Sequence, residues 1–282
     1  MERFSLNSKT IDSWTLPQLV AGCQAARVRN VALWRELYEG ADVADAAALV
    51  RAEGLTVTSL CRGGFFPTEN ADERAARHAD NLAAIDECVA LGTGVLVLVC
   101  GGLPRPAQGG PRGRDLPGSR QQVADAVGAL APMAAARGVR LAVEPLHPVF
   151  CADRSVISTL DQALTIAAEH AADVVGVCVD TYHLWWDDAA LDRLPTIGER
   201  IAAYQVCDWL DPLPDPLLGR GIPGDGVIDF SPWTRAVVSA GYTGPVEVEI
   251  FNQAVWDSPG DEMLATVLER FGELIEPDLG DF

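Results

Sequence analysis

Four oxygen-bearing side chains each sit at the end of a short apolar run that has no other use for a polar group. Glu144 ends LAVE, Asp180 ends VCVD, Gln205 lies in AYQVC and Glu249 in VEVEI. They are 36, 25 and 44 residues apart, so only a fold that gathers strand ends can bring them together. Three carboxylates collected in a closed cavity repel one another and lose hydration, and a divalent cation is the simplest remedy. All four groups are oxygen donors, a hard set that suits Mg²⁺ or Mn²⁺. The last run carries two glutamates, and strand alternation puts Glu247 and Glu249 on one face. Glu249 is nearer the carboxyl end, which makes it the ligand and Glu247 a lower-layer residue.

Other polar groups cluster near this set. His183 follows Asp180 by three residues; it either hydrogen-bonds a substrate oxygen and moves a proton near neutral pH, or it caps and packs. The adjacent Trp185 and Trp186 either pack into the core or form a wall against the apolar face of a sugar ring. GRGIPGDG at 219–226 is a tight, turn-forming loop, whose Arg220 either reaches a substrate oxygen or serves on the surface.

The elements that must position these residues are legible as alternating periodicities. Strand-like runs occur at 3–7, 30–34, 55–61, 95–100, 139–144, 174–180, 203–207 and 245–250. Between them lie helical candidates such as 71–91, 119–137, 159–171 and 261–275, with apolar residues at three-to-four spacing. Eight strand–helix units predict an α/β fold, one (β/α)8 TIM barrel over residues 1–282, and the continuous apolar strands suit a parallel sheet buried on both faces. The Gly- and Pro-rich stretch 101–118 follows the fourth strand and carries three arginines. It is expected as a surface loop, and its place at the carboxyl end of a strand suits an active-site lid.

Composition narrows the partners. The 282 residues include 21 Lys+Arg against 40 Asp+Glu, a net charge of −19, with 49% hydrophobic residues. Such a surface repels nucleic acid and anionic membranes. The N-terminal MERFSLNSKTIDSW lacks the basic stretch and apolar run of a secretory signal or a membrane span, so a cytoplasmic location is expected. Seven cysteines, at 23, 61, 88, 100, 151, 178 and 207, form no C-x-x-C pair and are expected to be reduced thiols.

E-P-x-H at 144–147, V-D-T-Y-H at 179–183, R-x-x-P-G-x-G at 220–226 and V-E-I-F at 248–251 occur in the order and spacing of a known family. Through them the chain resembles the sugar phosphate isomerase/epimerase group of the xylose isomerase-like barrels, which includes tagatose/psicose 3-epimerases, hydroxypyruvate isomerases and inosose-processing enzymes. The resemblance implies a metal site on Glu144, Asp180, Gln205 and Glu249 holding Mn²⁺ or Mg²⁺. Gln205 matches the hydroxypyruvate isomerase variant, whereas the epimerases usually carry His there. It implies substrate binding by His183 and Arg220. His147 stands where many relatives carry Asn, and Trp185 and Trp186 stand where epimerases have smaller or polar residues; these three complete the expected substrate-binding set.

The implied activity is a metal-dependent isomerase or epimerase of carbohydrate metabolism, acting on a keto sugar or related hydroxyketone through a metal-bound enediolate. Glu144 and Glu249 would stand on opposite faces of the substrate, one removing a proton and the other returning one. The expected partner is a small sugar substrate, with neither nucleic acid nor membrane, in a homodimer or homotetramer such as relatives form. Two other readings use the same barrel: a dehydratase or decarboxylase that sends the enediolate to elimination, and a non-catalytic or partner-dependent subunit. The endonuclease branch of the superfamily needs many histidines, and this chain has four.

Overall fold

The computed structural model describes residues 1–106 and 109–280. Eight parallel strands close into a barrel: β1 Phe4–Asn7, β2 Asn30–Trp34, β3 Thr56–Gly64, β4 Val95–Val99, β5 Arg140–Glu144, β6 Val175–Asp180, β7 Ile201–Val206 and β10 Val246–Val248. Between the last two, β8 Asp208–Trp209 and β9 Arg220–Gly221 form an antiparallel ribbon at the mouth. The helices are α1 Leu16–Ala25, α2 Val43–Ala52, α3 Ala71–Leu91, α4 Leu116–Ala135, α5 Leu160–Ala168, α6 Thr181–Leu184, α7 Asp188–Arg193, α8 Phe230–Ser239, α9 Gln253–Trp256 and α10 Gly260–Leu274. No helix among the described residues is long and apolar enough to cross a membrane.

Strand alternation sorts the side chains into two cores. Leu96, Leu98, Leu141, Val143, Val177 and Val179 join the large cluster packed between strands and helices, whereas Val97, Ala142, Cys178 and Ala203 form a smaller cluster with Trp34, Cys61 and Phe251. The second set is small, and it leaves room at the carboxyl end. Two residues beyond Ala142, Cys178 and Ala203, on the same face, come Glu144, Asp180 and Gln205. Lateral register aligns Asp180 with Gln205 and Gln205 with Glu247, so the polar residues form rings across neighbouring strands.

The chain caps its helices where the sequence supplies side-chain acceptors. Asn70 accepts from the amides of Asp72 and Glu73, and Gly92 closes the same helix at φ +77°, which fixes α3 at the limits its periodicity predicts. The stretch expected as a loop to residue 118 ends earlier. Asp115 accepts from Gly118 N at 2.9 Å and Pro117 sits in the first turn, so α4 begins at Leu116. Residues 107 and 108 of that stretch lie outside the described residues. Strand β3 runs three residues past its expected end, to Gly64, where a Cβ would stand 1.9 Å from Val99 O. All seven cysteines are free thiols.

Candidate functional site

Glu144, Asp180, Gln205, Glu247 and Glu249 are all buried at the carboxyl end of the barrel. Asp180 ends β6 and begins α6: its Oδ1 accepts from Tyr182 N at 2.8 Å, which turns Oδ2 toward the centre. There Oδ2 lies 3.7 Å from His183 Nε2, and Glu144 Oε1 lies 3.9 Å from the same nitrogen. One ligand atom each from Glu144, Asp180 and His183 falls within 4.8 Å of the others, a spacing that a single cation can bridge.

Glu249 lies one residue beyond β10 and is held from three sides. Its Oε1 accepts from Asn7 Nδ2 at 2.9 Å and from Trp34 Nε1 at 3.0 Å, while Oε2 accepts from Arg220 Nη1 at 3.0 Å. The same Nη1 reaches Asp180 Oδ2 at 3.3 Å, so Arg220 joins the two carboxylates. Below them Glu247 accepts from Thr58 Oγ1 and Gln205 Nε2, each at 2.9 Å. Gln205 Oε1, buried beside these acids, has no hydrogen-bond partner.

Burial dominates the protonation of the group. It lifts Asp180 to about 7 against the opposing pull of Arg220. It lifts Glu144 well above the ordinary carboxylate range, with Glu249 and Asp180 adding repulsion. His183 is pushed well below its usual value by burial and then by the Arg220 charge. Geometry agrees: Nδ1 faces the His147 amide at 3.2 Å and Nε2 faces Arg220 Nη2 at 3.3 Å, so donors flank both ring nitrogens. Burial thus favours the neutral imidazole, in which one ring nitrogen accepts and the other carries the single proton.

Arg220 owes its position to the ribbon. Its guanidinium lies between the rings of Tyr182 and Phe251, each 4.7 Å away. Its backbone N donates to Phe251 O at 3.1 Å, and its O accepts from Asn252 Nδ2 at 2.7 Å. The following loop is built around one buried carboxylate. Asp208 Oδ2 accepts from the amides of Gly224 and Gly226 at 2.9 Å each, and Oδ1 accepts from Trp209 N at 2.9 Å and Ile228 N at 3.0 Å. Gly226 has to be glycine because a Cβ there would meet Trp209 O at 2.2 Å.

The expected site residues thus divide. Glu144, Asp180, Glu249, His183 and Arg220 come together, and Gln205 stands with them through its free oxygen. Arg220 is an internal partner of the acids rather than a surface group. His147, Trp185 and Trp186 do not line the cavity above the carboxylates. They form an aromatic flank, with the His147 ring 4.6 Å from Trp209, Trp185 5.5 Å from Trp209, and Trp186 Nε1 bound to His183 O at 2.8 Å. Their bulk and the pull of neighbouring rings draw them into that stack.

The cavity over the acids measures about 20 Å³ and is walled by Trp34, Phe150, Arg154, Leu217 and Phe251 among others. Larger hollows of about 570 and 650 Å³ contain none of the five buried acids and amides. Sequence reasoning missed Asn7, Trp34 and Arg154. The first two end β1 and β2 with a hydrogen-bonding group, the same signal that singled out Glu144 and Asp180.

The donor chemistry fits a hard divalent cation: two carboxylates, Asp180 and Glu249, that share one arginine, a third, Glu144, with no hydrogen-bond partner among the described residues, and an amide oxygen with its lone pairs free. Glu144, Asp180, Gln205 and Glu249 would hold it, with His183 adjoining.

Comparison with known proteins agrees with this architecture. A solved protein from Sinorhizobium meliloti 1021 superposes with a TM-score of 0.91 at 40% identity, covering 97% of this chain and 98% of that one. The 3-dehydroshikimate dehydratase of Pseudomonas aeruginosa is 31% identical over 194 residues, which is 66% of this chain and 27% of that protein. The ketose 3-epimerase of Arthrobacter globiformis is 29% identical over 133 residues, 46% of this chain and 41% of that protein. The chain therefore spans well under half the length of the curated relatives it matches, and those relatives are enzymes. The model of the xylose isomerase-like TIM barrel family matches residues 21–273, and the chain belongs to that family.

Proposed function

We propose that this barrel is a divalent-metal-dependent isomerase or epimerase that removes and returns a proton on the carbon beside the carbonyl of a keto sugar or related hydroxyketone. The observation that carries this reading is the unequal state of two glutamates sharing one cavity. Glu249 is pinned by Asn7, Trp34 and Arg220, while Glu144 accepts no hydrogen bond from any described residue and is held toward its protonated form by burial. One carboxylate is fixed in place by three donors and would take the proton, and the other, held toward its protonated form, would give one.

A bound Mg²⁺ or Mn²⁺ supplies charge that acidifies the C–H next to the carbonyl. Arg220 holds Glu249 in place through Nη1, and His183 would offer its ring N–H to a substrate oxygen. Trp34, Phe251 and Leu217 exclude water, which strengthens each of these charges. The aromatic flank of His147, Trp185 and Trp186 supports the His183 segment from behind.

A lyase reading has its own support in the match to 3-dehydroshikimate dehydratases at 31% and 28% identity. The first step is shared; what differs is whether the substrate then loses a β-substituent. Proton NMR in D₂O with Mg²⁺-loaded protein separates the two. Exchange at a carbon-bound position with a product of equal mass supports the isomerase, and a dehydrated product moves the assignment to lyase. Exchange with neither free ketoses nor hydroxyketo acids would end both readings.

A further inference from the structure

Most arginines near the mouth of this barrel have a partner. Arg220 bonds Asp180 and Glu249, and Arg35 bonds Glu87 and Asp80. Two do not. Arg154 lines the cavity beside Glu144, His183 and Glu249, yet its side chain makes no hydrogen bond or ion pair with any described residue. Arg62, on β3, likewise has no such bond, and its guanidinium lies over the Phe65 ring at 4.1 Å.

Arg154 is not a loose surface group. Its backbone N donates to Phe150 O at 2.9 Å and its O accepts from Gly101 N at 2.8 Å, while the next residue, Ser155, bridges to Gly101. The main chain is therefore clamped to the loop after β4, and the side chain is aimed into the cavity from a fixed base. Burial disfavours its charge most, the Asp153 carboxylate offsets part of this, and the Arg220 charge opposes it. Arg62 is disfavoured first by burial, which Glu36 partly offsets and the Arg154 charge deepens. Two half-buried guanidiniums that repel each other, with nearby acids offsetting only part of the cost and no ion pair formed with any described residue, leave a demand for counter-charge. A ligand anion would meet it. The planar fork of arginine matches the two oxygens of a carboxylate.

We propose that Arg154, with Arg62 behind it, binds a carboxylate on the substrate, so that the hydroxyketone handled here is an acid rather than a neutral sugar. This rests on the proton-transfer reading above and specifies its substrate class. The reacting carbonyl would sit over Glu144 and Glu249, and the carboxylate would lie toward Arg154 at the cavity wall. Arg220 is already bonded to Asp180 and Glu249, which leaves the Arg154 guanidinium available to a charge on the substrate.

The test is calorimetric binding to the full, Mg²⁺-loaded chain with matched pairs of hydroxyketo acids and their methyl esters: 3-dehydroshikimate, 2-keto-D-gluconate and 5-keto-D-gluconate, with D-fructose and D-tagatose as neutral ligands. The wild type should bind at least one acid tenfold or more tightly than its ester. Arg154→Gln should erase that ratio, Arg154→Lys should restore part of it, and Arg62→Gln should reduce it less. Mg²⁺ affinity and the thermal midpoint should stay at wild-type values in all three. Equal binding of acid and ester by the wild type would overturn the proposal without any variant. So would a preference that survives Arg154→Gln, or failure of every acid in the panel to bind. The two readings fail separately. An acid bound with the expected preference but showing no C–H exchange in D₂O would leave the anion site standing and remove proton transfer. A neutral ketose that exchanges while the acids are ignored would do the reverse.

Discussion

Gln205 gives its amide hydrogen to Glu247 at 2.9 Å, and this bond decides which end of the glutamine is available to the cavity. The nitrogen is spent on the layer below, and the buried oxygen is left without a partner. Glu247 is itself steadied by Thr58, which in turn contacts Ser5 at 2.9 Å, so the orientation is built from β1, β3, β7 and β10 together.

Glu247→Gln should therefore loosen the ligand without touching a cation. Groups that orient a metal ligand in this way are worth about 10- to 100-fold in metal affinity. Mn²⁺ titration followed by electron paramagnetic resonance should show a loss in that range, with the circular dichroism of the barrel retained. Unchanged affinity would mean that Gln205 does not contribute a ligand.

Glu249→Gln should abolish turnover, by about 10²-fold or more on the scale of a lost acid–base group, and leave a folded barrel. The amide oxygen can still accept from Asn7 and Trp34, so the far side of the contact survives. Substantial residual activity in the D₂O exchange assay would remove Glu249 from the mechanism.

Stability without a cation should fall as pH rises. The ordinary aspartate value is 3.8, and burial lifts Asp180 to about 7 in the folded chain; Glu144 is lifted in the same direction. A raised carboxylate favours folding below the unfolded value, and that contribution is lost as pH climbs through the folded value. Thermal midpoints in EDTA should decline between about pH 4 and pH 7 for this reason. The gain on adding Mg²⁺ should widen over the same interval, because the cation replaces the protons. Asp180→Asn should flatten both trends, and a Mg²⁺ gain independent of pH would contradict the assignment.

Asp208→Ala would leave four backbone amides without their acceptor. Orphaning buried donors costs about 3 kcal/mol here by the usual scale, or on the order of 10 °C in thermal midpoint for a chain of this size. The same change should lower catalytic efficiency, since the loop carries Arg220. A variant that melts like the wild type would show that the loop is held by other contacts.

The sequence by itself determined the barrel and the ring of strand-end acids. Apolar runs of five to seven residues alternating with amphipathic helices leave few other ways to bury both faces of each strand, and the polar end of a run follows from period-two geometry whatever the neighbours are. All eight barrel strands lie within three residues of their predicted limits, and α3 spans its predicted range. Tertiary structure alone decided how those acids are satisfied. Asn7 and Trp34 reach Glu249 across 242 and 215 residues, because β1 pairs with β10 when the barrel closes. Arg220 enters the centre because the β8–β9 ribbon and Asp208 turn the loop inward. His147, Trp185 and Trp186 turn aside into an aromatic stack, a choice made by neighbouring rings rather than by their own spacing. Arg154 stands unpaired at the wall because Gly101 and Phe150 fix its main chain, and no local pattern encodes a contact between those three segments.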